Sequence, residues 1–320
     1  LSEGRAAWNV VTSMRESEAR NFNLAQSLPH DLRYARAQEF VDVVRRLWDS
    51  WTQESFLIDR ARGILADEAQ ILPIHHRGQH FSVEGALNVP RRSEAHPVLV
   101  QAGASGVGKA FAARNADLIF ASVPDFDAAR AFTQEMKQAA RAAGRNPAHL
   151  KVLPGFIPIV GKTLAEAREK KEHMDALLLP TAAIRYLSQW MEVDLAHLDP
   201  EAPVPDEILD IDRIKGQKGR FKNILHIART EKLGLGQLAA RVAATRTHTS
   251  IVGTGDTIAR EMERWVEGGA CDGFNILPAF FPDGFDDFTQ EVVSRLQERG
   301  SFRKDYAGTT LRDHLGLPDR

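Results

Sequence analysis

The chain has 320 residues, 43% of them hydrophobic and 26% charged, which is enough apolar material for one large folded domain or two small ones. Its net charge of -2, with acids and bases interleaved as in Arg36 to Arg46, excludes an electrostatic nucleic-acid binder. No apolar run approaches the roughly 18 residues that span a bilayer, so no membrane association is expected. The single cysteine, Cys271, cannot form an internal disulfide, and a cytoplasmic location is expected on that ground.

The first informative stretch is Gly4-Arg5-Ala6-Ala7-Trp8-Asn9-Val10-Val11-Thr12-Ser13. Ala6 to Val11 is a short apolar run rich in strand formers, and Asn9, Thr12 and Ser13 add side chains that donate and accept hydrogen bonds. Parallel strands of α/β proteins carry their chemistry at such carboxyl ends. Next comes His30-Asp31-Leu32-Arg33-Tyr34, followed by an apolar face of Phe40, Val43, Val44, Leu47, Trp48 and Trp51 at helical spacing. If this helix begins near Pro29, His30 and Tyr34 share a face at its amino end and point toward the same mouth as Asn9. A capping turn with a half-buried tyrosine is the alternative. Residues 54 to 97 break the rhythm and read as a hairpin-like excursion. Within it, His76 and His80 have an interval that would pair two ligands on a helix. Gly78 lies between them and Phe81-Ser82-Val83 follows as strand, so no metal site is expected.

Strand and helix patterns then alternate, which predicts parallel strands with helical crossovers. Val98 to Gly103 is a strand, Lys109 to Asn115 a helix, Asp117 to Ser122 a strand and Phe126 to Ala143 a helix. Leu150 to Val160 reads as a strand over only part of its length, because Pro154 and Pro158 remove ladder donors. A charged helix spans Leu164 to Leu178. Residues 180 to 250 are looser and read as an insertion, either a mobile lid or a helical extension. His248 reads as a structural histidine and Cys271 as a small packing residue. Ser250 to Gly253 is too short to count as a core strand, whereas Asp272 to Leu277 closes the pattern, for five strands near residues 6, 98, 118, 152 and 273.

Gln101-Ala102-Gly103-Ala104-Ser105-Gly106-Val107-Gly108-Lys109 runs from a strand through a small-residue turn into a helix. Bare amides at a helix amino end, with Ser105 as cap, suit a phosphate. The glycines match neither the Walker spacing nor the dinucleotide fingerprint, and a plain tight connection is the alternative. No complete Gly-x-Ser-x-Gly elbow is present.

Together with His76-Arg77-Gly78-Gln79-His80-Phe81, Asn88-Val89-Pro90 and the tail Tyr306-Ala307-Gly308-Thr309-Thr310-Leu311-Arg312, these segments resemble the nitrilotriacetate and dibenzothiophene sulfone monooxygenase branch of the bacterial luciferase-like flavin monooxygenases. The resemblance covers nearly the whole chain. It implies an α/β TIM (β/α)8 barrel that takes reduced FMN from a separate NAD(P)H:flavin reductase and uses O2 to oxidise a small organic substrate. Carried over by motif, His30, Tyr34 and Ser105 would hold the FMN phosphate and ribityl region. Asn9 would sit by the isoalloxazine, and the Ala104 backbone would line the phosphate site. The resemblance assigns no catalytic residue. It implies a single partial barrel domain over residues 1–320, with excursions at about 54–97 and 180–250, lacking the first three β/α units, and a homo-oligomer. Two further readings stand beside it: a deazaflavin-dependent oxidoreductase on the same barrel, and a non-catalytic remnant that binds phosphate or an intact homologue.

Overall fold

Strand β1 (Ala7–Asn9) begins the fold, and the computed structural model describes residues 2–13, 16–90, 95–103, 105–214 and 218–318. A short helix, α1 (Glu16–Asn21), precedes the long α2 (His30–Trp48), which starts directly after Pro29, as the helix signal predicts. Asp31 in the first turn and Arg45 and Arg46 in the last complement the helix dipole. The excursion is built from two antiparallel hairpins, β2 (Phe56–Asp59) with β3 (Ile64–Ala66), and β4 (His76–Arg77) with β5 (Ser82–Val83). The chain then returns as β6 (Val98–Gln101), which pairs parallel with β1, Ala7 opposite Val98 and Asn9 opposite Val100. Helix α3 (Gly106–Asn115) follows.

The chain divides into two compact units, Leu1–Ala102 with Ala110–Asp117 and Tyr306–Arg320, and Gly103–Lys109 with Leu118–Asp305. In the first, Tyr34, Ala37, Val41 and Trp48 line one stripe of α2 and pack on Val10, Leu99 and Phe111. Behind this core lies a buried ion pair. Arg312 and Asp117 have side chains only 2% exposed, with Arg312 Nη1 3.0 Å from Asp117 Oδ2. The same carboxylate oxygen accepts the Leu99 amide at 3.1 Å, and Arg312 Nε donates to the Pro318 carbonyl at 2.7 Å. Gln38 and Arg45 hold Asn115, which caps the same corner through the carboxamide and the backbone.

The second unit follows the predicted alternation from β7 (Leu118–Ala121) through α4 (Phe126–Ala142) to β8 (Lys151–Val160) and α5 (Leu164–Ala176). Two expectations need correction here. First, β8 is regular over all ten residues despite its prolines. Val152 and Phe156 turn their carbonyls toward Asp272 and Leu277, so Pro154 and Pro158 lie in that same row by alternation. The opposite row, which bonds β7 and then the next strand, contains no proline. Second, β9 (Thr249–Gly253) does join the parallel pairing. It lies against Phe156 to Val160, the half of β8 beyond the end of β7, and β10 (Asn275–Ile276) pairs at Gly155 and Phe156. Six strands, rather than five, therefore take part in parallel pairs among the described residues.

Between β8 and β9 the segment from 180 onward is helical, with α6 (Pro180–Met191), α7 (Lys218–Glu231) and α8 (Leu235–Thr245) closing on a core that includes Leu187, Phe221, Ile224, Leu235 and Leu238. Helix α9 (Gly255–Glu267) buries Ile258, Met262 and Trp265 against Phe156, Phe288 and Val292. No helix among the described residues is long and apolar enough to cross a membrane.

The buried ion pair gives a direct test. Arg312→Ala strands the Asp117 carboxylate in a dry site and is expected to lower unfolding free energy by about 3 to 5 kcal/mol, read by urea denaturation. Arg312→Met with Asp117→Asn, which removes both charges, should lose clearly less.

Candidate functional site: an aromatic cavity at the carboxyl end of a strand

The backbone of β1 ends in a cavity of about 540 Å³, lined by Trp8, Asn9, Thr12 and Ser13 from the strand end, by Phe22 and Leu24 beyond α1, and by Arg33, Arg36, Ala37 and Phe40 from α2. Phe81 completes the wall. Trp8 meets Phe40 edge-on at 5.7 Å between centroids, and Phe40 meets Phe81 at 5.5 Å. Arg36 lies 5.1 Å over the Phe81 ring, and Arg33 donates to the Ser13 carbonyl where the backbone takes a positive φ of 41°. The lining thus combines flat apolar faces with a carboxamide, two hydroxyls and two guanidiniums, the composition of a small-molecule site.

Glu39 on α2 holds Phe81 in place. One carboxylate oxygen accepts from His76 Nε2 and from the Phe81 amide, both at 2.9 Å, and the other accepts the His80 amide at 2.9 Å. Arg46 donates to His76 Nδ1 at 3.2 Å, which fixes the tautomer with the proton on Nε2. These bonds, that from His76 first, hold the Glu39 carboxyl below the usual carboxylate range. Gly78 is required by this approach, since a Cβ there would lie 2.0 Å from the Glu39 oxygen. The turn at 78–81 lies between β4 and β5, so His76 and His80 are not on a helix, and His76 is committed to Glu39.

The structure brings some predicted residues together. His30 and Tyr34 do share a face at the amino end of α2, with ring centroids 5.1 Å apart, and Tyr34 packs edge-on against Phe111 at 5.8 Å. Asn9 lines the cavity. Ser105 is the cap of α3: its hydroxyl accepts the Gly108 amide at 3.1 Å and its carbonyl accepts the Lys109 amide at 2.8 Å. A Cβ on Gly106 would meet nothing within 4 Å, so the first turn is open on that side. Ala104 lies outside the described residues. Sequence reasoning missed Glu39, Arg36 and Phe81 as parts of this site. Nothing local in the sequence links Glu39 or Phe40 to residues 76–81.

Two residues of the second unit are settled by burial. The Cys271 thiol is pushed up to about 12 by burial and is inert at neutral pH. His248 is 5% exposed and stacks on Phe120 at 5.3 Å with planes 20° apart. Burial, with Arg220 and Arg246 adding to it, pushes its imidazole down to about 4.

Residues 1–271 match the family described as luciferase-like monooxygenase. Nitrilotriacetate monooxygenase component A of Aminobacter aminovorans is 43% identical over 318 residues, 99% of this chain and 70% of that protein. Dibenzothiophene-sulfone monooxygenase of Rhodococcus erythropolis is 40% identical over 323 residues, again 99% of this chain and 70% of that one. Among solved structures, a riboflavin lyase with modified FMN and riboflavin superposes with a TM-score of 0.84 at 28% identity, over 99% of this chain and 69% of that chain.

Glu39→Ala should release the hairpin, seen as faster amide hydrogen exchange at His80 and Phe81 while the α2 interior keeps its protection. Unchanged exchange at both amides would remove Glu39 from this role. His248 sets a pH dependence of the opposite kind to an ion-paired histidine. Its folded value lies below its unfolded one, so the unfolded state takes up the proton first, and stability is lost as pH falls from about 6.5 toward 4. The loss approaches about 3 kcal/mol over that window, and His248→Gln should flatten the curve of unfolding free energy against pH there.

Proposed function

The chain belongs to the luciferase-like monooxygenase family, and on that premise we propose that it oxidises a small organic substrate with O2, using reduced FMN delivered by a separate flavin reductase. The observation that carries this reading is the carboxyl end of β1, where Asn9, Thr12 and Ser13 open onto a wall of Trp8, Phe40 and Phe81. A cavity of about 540 Å³ is of the size that takes a drug-sized ligand. Supporting the separate reductase is the name of the Aminobacter relative, which designates it component A. The riboflavin lyase supports FMN as the flavin, since its structure holds modified FMN. A TIM-type barrel for the parallel strands belongs to the same reading.

The residues present suit the group. Ser105 and the open first turn of α3 supply amides and a hydroxyl for the phosphate, and the dipole of that helix favours an anion there. His30 and Tyr34, at the amino end of α2, offer an imidazole and a phenol to phosphate or ribityl oxygens. Asn9 offers a carboxamide that both donates and accepts, as the edge of a flavin ring requires. When bound, reduced FMN supplies the electrons that activate O2. The part left to the protein is to orient the substrate and exclude water, which the aromatic wall does by covering the cavity with apolar area.

Mixing the chain with reduced FMN tests this reading: it predicts saturable binding and, with a flavin reductase, NADH and a productive substrate, consumption of O2. Tight binding of a reduced deazaflavin without O2 uptake would replace it with hydride transfer. Ser105→Ala is expected to weaken FMN binding by about 1 to 3 kcal/mol, the scale of a hydrogen bond to a charged group. Equal flavin affinity in that variant would remove Ser105 from the phosphate site.

A further inference from the structure

The hairpin of β2 and β3 lines no part of the cavity, and it turns apolar side chains to solvent. In its ladder Phe56 stands opposite Ala66, and both are half-buried. Side chains alternate along a strand, so the residues next to these, Leu57 and Leu65, share the opposite face. They are 48% and 59% exposed, and Ile58 and Ile64 beside them are exposed as well. Natural sheets blunt such surfaces with a lysine, a proline or an inward charge, and none of these interrupts residues 56–58 or Ile64–Ala66. Among the described residues the two strands pair only with each other, which leaves both outer edges open.

The backbone is strained to hold this face outward. Between its two ladder pairs β2 runs from Phe56 to Asp59 while β3 runs only from Ala66 to Ile64, so β2 carries an extra, bulged residue. Ile58, within that stretch, takes a φ of 50°, a left-handed conformation that a β-branched residue rarely adopts. An isoleucine there is unfavourable twice, in its backbone and in its exposure. Arg62 braces the turn, its backbone N–H and its Nε donating to the Asp59 carboxylate at 3.0 and 2.6 Å. The charges of the hairpin are arranged end to end. Arg60 stands at the tip, Glu54 just before β2 and Glu68 just after β3. All three are exposed, and among the described residues none has a partner of opposite charge. A hairpin positive at one end and negative at the other is complementary to a second copy turned antiparallel, whereas a partner surface of one sign satisfies one end and repels the other.

We propose that the β2–β3 hairpin is a surface for a second copy of this chain. Two hairpins pack their Leu57, Ile58 and Leu65 faces across a two-fold axis and run antiparallel, so that Arg60 of each copy meets Glu54 and Glu68 of the other. The inference does not depend on the flavin reading. In such an isologous contact every residue is used twice, so one apolar face and one charged pair of ends suffice. The apolar centre supplies the affinity and the charges at the rim fix the orientation. At about 3.3 Å per residue the four residues of β2 span about 13 Å, so the apolar centre and both charged ends fit within one hairpin length. Burial of Leu57, Ile58 and Leu65 in this way removes the cost of their exposure.

Sedimentation of the 320-residue chain at increasing concentration tests the surface. A reversible dimer is expected, with a dissociation constant raised about tenfold or more in Leu65→Asp, which puts a charge in the apolar centre. Arg60→Glu is expected to weaken the dimer severalfold. Adding Glu54→Arg and Glu68→Arg to that variant should restore the affinity, because the two ends are complementary again with their signs exchanged. All four residues are exposed, so the variants keep the fold, which circular dichroism checks. A chain that stays monomeric at every concentration overturns the proposal. A dimer of unchanged affinity in Leu65→Asp does so too, since self-association would then belong to another face. Failure of the charge exchange to restore the Arg60→Glu dimer removes the antiparallel arrangement. Association through Leu65 with a flavin reductase but not with a second copy would give the face to the reductase and overturn the proposal likewise.

Discussion

The dry carboxylate of Asp117 is the constraint on which the first unit depends. Arg312 and the Leu99 amide both bond to it, and Arg312 in turn donates to the Pro318 carbonyl. This fixes β6 from behind, and the Asp117 amide adds a bond to the Leu99 carbonyl. β6 then sets the register of β1, and the position of β1 decides where Asn9 and Trp8 meet the cavity. The tail returns to the start of β1 as well, with the Leu311 amide donating to the Gly4 carbonyl. A residue near the end of the chain is in this way part of the support for a site near its beginning.

The cavity shows a division of labour between rigid and adjustable parts. Its floor is the strand end, held by parallel pairing, and one wall is the α2 stripe packed on Phe111 and Leu99. The opposite wall, Phe81, belongs to a short hairpin that would be marginal alone, and it depends on the three bonds that Glu39 accepts. A relative with a different sequence between 54 and 97 could therefore change the cavity wall without disturbing the strand end. Such an arrangement suits a family whose members are named for substrates as unlike as nitrilotriacetate and dibenzothiophene sulfone.

The second unit solves a different problem, which is how to keep a buried histidine neutral and oriented. Stacking on Phe120, the absence of a side chain at Gly155 and the left-handed pair Arg246 and Thr247 act together on one ring. None of these is a local property of His248. Three helices with their own apolar core supply the rigid surroundings, which is why the region from 180 onward reads loosely in sequence yet is well packed. Its helices meet each other across long separations, and the connectors between them carry the prolines that blurred the pattern.

The sequence alone determined the alternation of strands and helices, the start of α2 at Pro29, the pairing of His30 with Tyr34 on one face, the cap at Ser105 and the family, because each is written in spacing or in ordered motifs. Tertiary structure alone decided that Lys151 to Val160 is one unbroken strand, since only the direction of each peptide group shows which row of bonds the prolines interrupt. It also decided that Ser250 to Gly253 pairs with that strand, that Arg312 is buried rather than a surface charge, and that Glu39 serves a hairpin some forty residues away. Hydrophobic period and capping act within a few residues and leave a trace in the chain. Burial, ladder direction and long-range ion pairing arise only when distant segments meet, so no local pattern encodes them.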